Sequence, residues 1–143
     1  MSASPNPAGV LSQWAAHPEG LAEVPAGRTF DVVRVLAQPG AEALARLRDR
    51  DSHLLGPVLH CIPRDCLEFL VPVGTAEAWD LPRSRCVGLG RRLRCPMPGH
   101  RGAGRYWLLP PDGSGKLNDV AALRNALEGA LLATENAEPL RIS

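Results

Sequence analysis

The chain has 143 residues, of which 45% are hydrophobic and 22% charged, with a formal net charge of +1. That length supports one domain with a core of its own, held without disulfides. Near-neutral charge excludes a global pull toward nucleic acid or anionic membrane, so any such binding must come from a local patch.

Met1 to Gly9, built of Ser, Pro, Ala, Asn, Gly and Met, reads as a disordered leader. Val10 to His17 suits a short helix with Val10, Leu11 and Trp14 on one side, ended by Pro18 and Gly20. Gly27 opens a first strand, Thr29 to Leu36, whose near-continuous apolar run fits burial on both faces. Pro39-Gly40 predicts a turn. Ala41 to Arg50 then predicts a helix with Ala41, Leu44, Ala45 and Leu47 inward and a Glu42–Arg46 pair at i, i+4. Val58 to Ile62 and Cys66 to Val73, around Pro63-Arg64-Asp65, predict a hairpin. Thr75 to Asp80 is a helical turn or loop carrying Trp79. Leu117 to Thr134 is the longest helix, with Val120, Leu123, Leu127, Ala130 and Leu131 at helical spacing and Asn118 or Asp119 as N-cap. Glu135 to Ser143 reads as a loose tail. The expected organisation is a leader at 1–9, one domain at 10–134 and a tail at 135–143. Strand pairs joined by short turns imply an α+β fold, an antiparallel sheet with helices packed on one face.

The stretch from Cys86 to Pro111 carries most of the remaining information. It reads as strand, turn, strand: Arg91 to Cys95, a loop punctuated by Pro96, Pro98, Gly99 and Gly102, and then Tyr106 to Leu109. Period two places Arg91, Leu93 and Cys95 on one side of the first strand and Arg92 and Arg94 on the other. One side packs and the other carries cations.

This stretch resembles the late part of the N-terminal domain of bifunctional DNA primase/polymerases, the prim-pol family. The resemblance lies in Gly90 to Pro96, the loop with His100 and Gly102, and Tyr106-Trp107. Upstream it includes Gly27 to Val33, Leu55-Gly56-Pro57-Val58 and Phe69 to Gly74. It spans roughly residues 14 to 111 and implies a partial prim-pol fold, because family members carry a longer segment before the matched region. It also implies where chemistry would sit. The family holds two metal ions on an Asp-x-Asp pair in the strand after the Gly-Arg-like turn, and such metals drive nucleotidyl transfer. Those positions fall here on Arg34 and Leu36. The family's histidine falls near Cys66, and its third acid in Arg83-Ser84-Arg85-Cys86. The resemblance therefore implies a degenerate member that has lost nucleotidyl transfer, with no catalytic residue, bound metal or cofactor.

Other constellations are weaker. The spacing of Cys61, Cys66, Cys86 and Cys95 with His60 and His100 departs from structural zinc patterns, and buried thiols are the simpler expectation. Met1 to Gly9 lacks the basic and apolar regions of a secretory signal, and no apolar run has membrane length. A cytoplasmic location, reduced cysteines and no membrane partner are expected. Trp14, Trp79 and Trp107 suit core or core-edge positions.

The one positive functional feature is an arginine cluster: Arg83, Arg85, Arg91, Arg92, Arg94, Arg101 and Arg105, with His100 beside it. Of the 16 basic residues in the chain only Lys116 is a lysine, and planar guanidinium forks suit phosphates and carboxylates. Two functions remain open. One is a nucleic-acid- or nucleotide-binding module using these arginines, with DNA or nucleotide as partner. The other is a non-catalytic protein-interaction or regulatory domain using the arginine ribbon or the C-terminal helix. A solvated edge that blunts strand pairing would give the same composition.

Overall fold

The computed structural model describes residues 21–25, 30–88, 92–96, 104–111 and 115–142. The expected leader at 1–9, the Val10 to His17 helix, Arg91, His100 and Arg101 lie outside them. Among the described residues there are seven strands: β1 (Leu21–Pro25), β2 (Asp31–Leu36), β3 (Val58–Cys61), β4 (Cys66–Val71), β5 (Ser84–Val87), β6 (Arg92–Pro96) and β7 (Arg105–Leu109). The helices are α1 (Ala37–Arg50), α2 (Thr75–Ala78) and α3 (Val120–Ile142), with a 3-10 turn at Ser52–Leu54. Strands β5-β2-β4-β3-β7, in that order, form a five-stranded sheet, antiparallel throughout. Three helices pack against it, so the chain is an α+β fold. Strands β1 and β6 pair with each other as a separate antiparallel ribbon.

Alternation along the strands divides the core in two. Val33, Val35, Val58, Leu67, Phe69 and Val71 face α1 and α3, where they meet Ala43, Leu44 and Leu47 of α1 and Leu123, Ala126, Leu127, Ala130 and Leu131 of α3. The α3 set recurs at i, i+3, i+4, i+7 and i+8, one continuous stripe. On the other face Val32, Leu59, Leu70, Val87 and Trp107 pack with Leu93 and Cys95 of the ribbon and with Phe30. The helices therefore cover one face, as expected, and a β-ribbon covers part of the other.

The β3–β4 hairpin forms as expected, although β3 stops at Cys61 and β4 at Val71. Three other expectations are corrected. Pro39-Gly40 is not a turn but the first turn of α1, which starts at Ala37. A proline there loses nothing, because the first backbone N–H groups of a helix have no intrahelical partner. A Cβ on Gly40 would lie 2.9 Å from Leu67 Cδ1 and 3.0 Å from Val35 Cγ1, so glycine lets the helix sit close on the sheet. The stretch Cys86 to Pro111 is not one hairpin: β6 pairs with β1, whereas β7 pairs with β3. Ser84–Val87, with no periodic signal of its own, is a strand paired to β2. Finally, the backbone of α3 continues past the expected end at Thr134 and runs to Ile142.

The start of α3 settles the capping question. Asp119 Oδ2 accepts from Ala122 N at 3.0 Å, so Asp119 is the cap. Asn118 instead braces the sheet: its Oδ1 accepts from Gly56 N at 2.8 Å, and its Nδ2 donates to Pro57 O and Leu70 O, each at 2.9 Å. No helix among the described residues is long and apolar enough to cross a membrane.

Candidate nucleic-acid interface

The ribbon-side face of the sheet carries a buried charge network. In β4 every residue is buried, and Glu68 sits in the middle of it at 1% exposure. A carboxylate taken out of water needs compensating partners. Glu68 has two. Oε2 accepts from Arg34 Nε at 2.6 Å, across the β2–β4 pair. Oε1 accepts from Arg105 Nη2, reaching from β7. Arg105, 8% exposed, also donates through Nε to Arg94 O at 2.9 Å. This guanidinium thus fastens the sheet carboxylate to the ribbon backbone, beside Trp107 Nε1, which donates to Pro96 O at 2.7 Å. Arg105 is accordingly removed from the expected binding patch: it is a buried structural cation.

Arg34 is only partly covered, with 26% of its side chain exposed. Directly opposite it on β5 stands Arg85, which is exposed. Cross-strand partners share a face, so one row runs Arg85, Arg34, Glu68, Leu59, Trp107 across the sheet. Leu36 and Cys66 oppose one another in the adjoining row. Along this face Glu68 engages two guanidiniums, of Arg34 and Arg105, and Arg85 stands opposite Arg34 as a third. Arg94 is exposed on the outer side of the ribbon, in register with Glu23 of β1, while Leu93 and Cys95 are buried against the sheet, as period two requires.

The remaining cluster members divide. Arg83, in the left-handed region at φ 61°, donates through Nη2 to Leu131 O on α3, so it ties a turn to the helix layer. Arg92 contributes backbone to β6. Arg91, His100 and Arg101 lie outside the described residues. Sequence reasoning pointed Arg92 and Arg94 to solvent by period two, put Arg85 in the cluster, and placed Arg34 where the resembled family holds a metal-binding acid. It passed over Glu68. The available signal was a lone acid inside the apolar run Cys66 to Val71, which demands a buried basic partner.

Carboxylates elsewhere near β2 are committed. Asp31, 2% exposed, shares the helix-side face with Val33 and Val35. Its Oδ2 accepts from Gly74 N and Ala76 N, both at 2.9 Å, which caps α2. Among the described residues no group of three His, Cys, Asp or Glu is placed to hold a metal ion. His60 Nδ1 lies 2.7 Å from Tyr106 Oη, with the rings edge to face. A second cationic feature, an open cleft of about 360 Å³, is lined by Arg48, Leu55, Pro57, Pro110 and Lys116 among others.

Burial holds the thiols of Cys66, Cys86 and Cys95 protonated. Burial pushes Cys66 up to about 11, helped by the Glu68 charge and by Cys61, against the opposing pull of Arg34 and Arg105. Burial raises Cys86 to about 12, with Asp31 adding to it. Cys95 also rises to about 12 through burial. Thiolate is the nucleophilic form, so the native protein is expected to react with iodoacetamide at pH 8 far more slowly than the urea-unfolded chain. A folded pKa above the unfolded value of 9.0 means that the native state binds more protons. Stability from these groups is complete below pH 9 and falls as pH rises through 11 to 12. Urea midpoints measured from pH 8 to 11 should fall along the alkaline limb, and a flat profile would contradict the burial of the thiols.

Comparison with protein-family models, with curated proteins and with solved structures finds no match to this chain.

Proposed function

We propose that this domain is a nucleic-acid- or nucleotide-binding module that works through its ribbon-side arginines and carries out no nucleotidyl transfer. The observation that carries the reading is the excess of guanidinium on one face: Arg34 stands directly opposite Arg85, and the single carboxylate of that row, Glu68, is already shared with Arg105. Like-charged cross-strand partners, one exposed and one partly covered, attract an anion, and arginine forks match phosphate oxygens in pairs. The motif resemblance to primase/polymerases supports the same class of ligand. The positions where that family holds paired acids, Arg34 and Leu36, share this face with Cys66 and Arg85. A cation at Arg34 repels divalent metal. Asp31, the one carboxylate of β2, is turned to α2. Phosphate binding without metal-driven chemistry fits both facts.

Arg85→Glu combined with Arg94→Glu tests the reading. Both residues are exposed, and exposed substitutions shift stability by within about 0.5 kcal/mol, so the double variant should fold. Its affinity for a fluorescent single-stranded oligonucleotide should fall tenfold or more. Unchanged affinity in a folded double variant would reject the arginine face as the binding surface. Absence of oligonucleotide binding in the wild type, with a protein partner lost on charge reversal, would favour the interaction-domain alternative.

A further inference from the structure

We infer that Arg34 and Arg85 together form a phosphate clamp, a subsite that takes one phosphoryl or phosphodiester group between two guanidiniums; it rests on the nucleic-acid or nucleotide reading and names the contact that reading needs. Directly opposite residues on antiparallel strands have Cβ atoms about 4.5–5.5 Å apart. Arg34 and Arg85 are such a pair, so both forks can reach one tetrahedral anion. Arg34 is held in advance: Glu68 Oε2 engages its Nε at 2.6 Å, and the side chain stays 26% exposed. That bond fixes the plane of the guanidinium while leaving its Nη groups to a ligand, and a donor fixed before binding loses less freedom when the ligand arrives. Glu68 is fixed in turn by Arg105, which is itself anchored to Arg94 O. Arg85 on the edge strand supplies the second, solvent-exposed fork.

Two further points separate this pair from the other cations of the chain. Like charges placed opposite one another destabilise a strand pair, and Glu68 relieves only Arg34 while also answering Arg105. An anion between Arg34 and Arg85 removes the remaining repulsion. Arg83 is engaged with the Leu131 carbonyl, and Arg46 with Glu42 at 2.9 Å on the surface of α1. Phosphate is the chemistry recognised, whether it comes from a free nucleotide's triphosphate or from the backbone of a strand.

The experiment uses the intact protein in a phosphate-free buffer, with inorganic tripolyphosphate and a single-stranded oligonucleotide as separate probes against chloride at matched ionic strength. Binding is followed by the thermal midpoint and by calorimetry, in wild type, Arg85→Gln and Arg48→Gln. The wild type should be stabilised by tripolyphosphate. Arg85→Gln should fold at least as stably as wild type without anion and lose the response by about tenfold or more in affinity, the worth of one charge-assisted contact. Arg48→Gln, in the separate cleft, should keep the response. Loss of both probes in Arg85→Gln assigns the clamp to backbone phosphates, and loss of tripolyphosphate alone assigns it to free nucleotides. Either supports the clamp. A tripolyphosphate response that depends on Arg85, without any oligonucleotide binding, upholds the clamp and removes the nucleic-acid half of the wider reading. No response in wild type, a full response in Arg85→Gln, or a response lost in Arg48→Gln instead overturns the clamp. Oligonucleotide binding that persists under those results and fails on Arg94→Glu leaves the wider reading standing without it.

Discussion

Replacing Glu68 with alanine is expected to cost about 3–5 kcal/mol of folding stability, the range for removing one partner of a buried ion pair. The reason lies less in the attraction lost than in what remains. Arg105, 8% exposed, would keep its charge with no carboxylate to answer it, and its guanidinium cannot shed a proton. Arg34, with 26% of its side chain exposed, can rehydrate, so its share of the loss is smaller. Urea denaturation followed by tryptophan fluorescence measures the change. Glu68→Leu with Arg105→Met should recover much of the loss, since hydrophobic replacement of a whole buried pair is often neutral or better. A Glu68→Ala loss below about 1 kcal/mol, the value typical of exposed pairs, would show that water reaches the network.

Asn118→Ala is expected to cost about 3 kcal/mol. Asn118 is 1% exposed, and its amide answers Gly56 N, Pro57 O and Leu70 O. The two carbonyls keep other donors, Leu70 N for Pro57 O and Asn118 N for Leu70 O. Gly56 N–H, which is part-buried, would lose the acceptor that satisfies it, at the low end of the roughly 1–3 kcal/mol cost of an unsatisfied buried donor. Two lost hydrogen bonds from Nδ2, at about 1 kcal/mol each, make up the rest. Little relaxation is available, because a Cβ at Gly56 would already lie 2.5 Å from the backbone of Leu117 and Asn118. Chemical denaturation of the variant measures the loss. A change within about 0.5 kcal/mol, the level of an ordinary surface substitution, would mean that Asn118 does not brace the α3 entry against β3 and β4.

Local signals in this chain were legible and partner choice was not. The β3–β4 hairpin announces itself through Pro63-Arg64-Asp65, because Asp tolerates the positive φ that Asp65 adopts at 53°. Leu123, Leu127, Ala130 and Leu131 mark the buried stripe of α3 by spacing alone. Pro39-Gly40 misleads because the same dipeptide that stops a helix is harmless within its first turn. Strands β5 and β1 are four and five residues long, and neither alternates cleanly enough to be read alone. The partners of β6 and β7, Leu21–Pro25 and Val58–Cys61, lie far off in the chain, and a glycine- and proline-rich connection fits a hairpin equally well. The binding face shows the same divide. Exposure of Arg94 follows from period two, whereas burial of Arg105 depends on Glu68, thirty-seven residues away. Counting arginines along the chain cannot separate a cation that braces the fold from one that faces a ligand.

Titration of a fluorescent single-stranded oligonucleotide onto the intact wild-type protein, repeated at salt concentrations from about 50 to 200 mM, tests the arginine face most directly. If the Arg34–Arg85 pair meets one phosphate and Arg94 another, log Kobs should fall linearly with log salt at a slope of about −1.4, from roughly 0.7 per phosphate on a single strand. Arg85→Glu with Arg94→Glu should leave little of that slope. Binding that is absent at about 50 mM salt, or that holds constant as salt rises, would contradict an electrostatic phosphate-binding face.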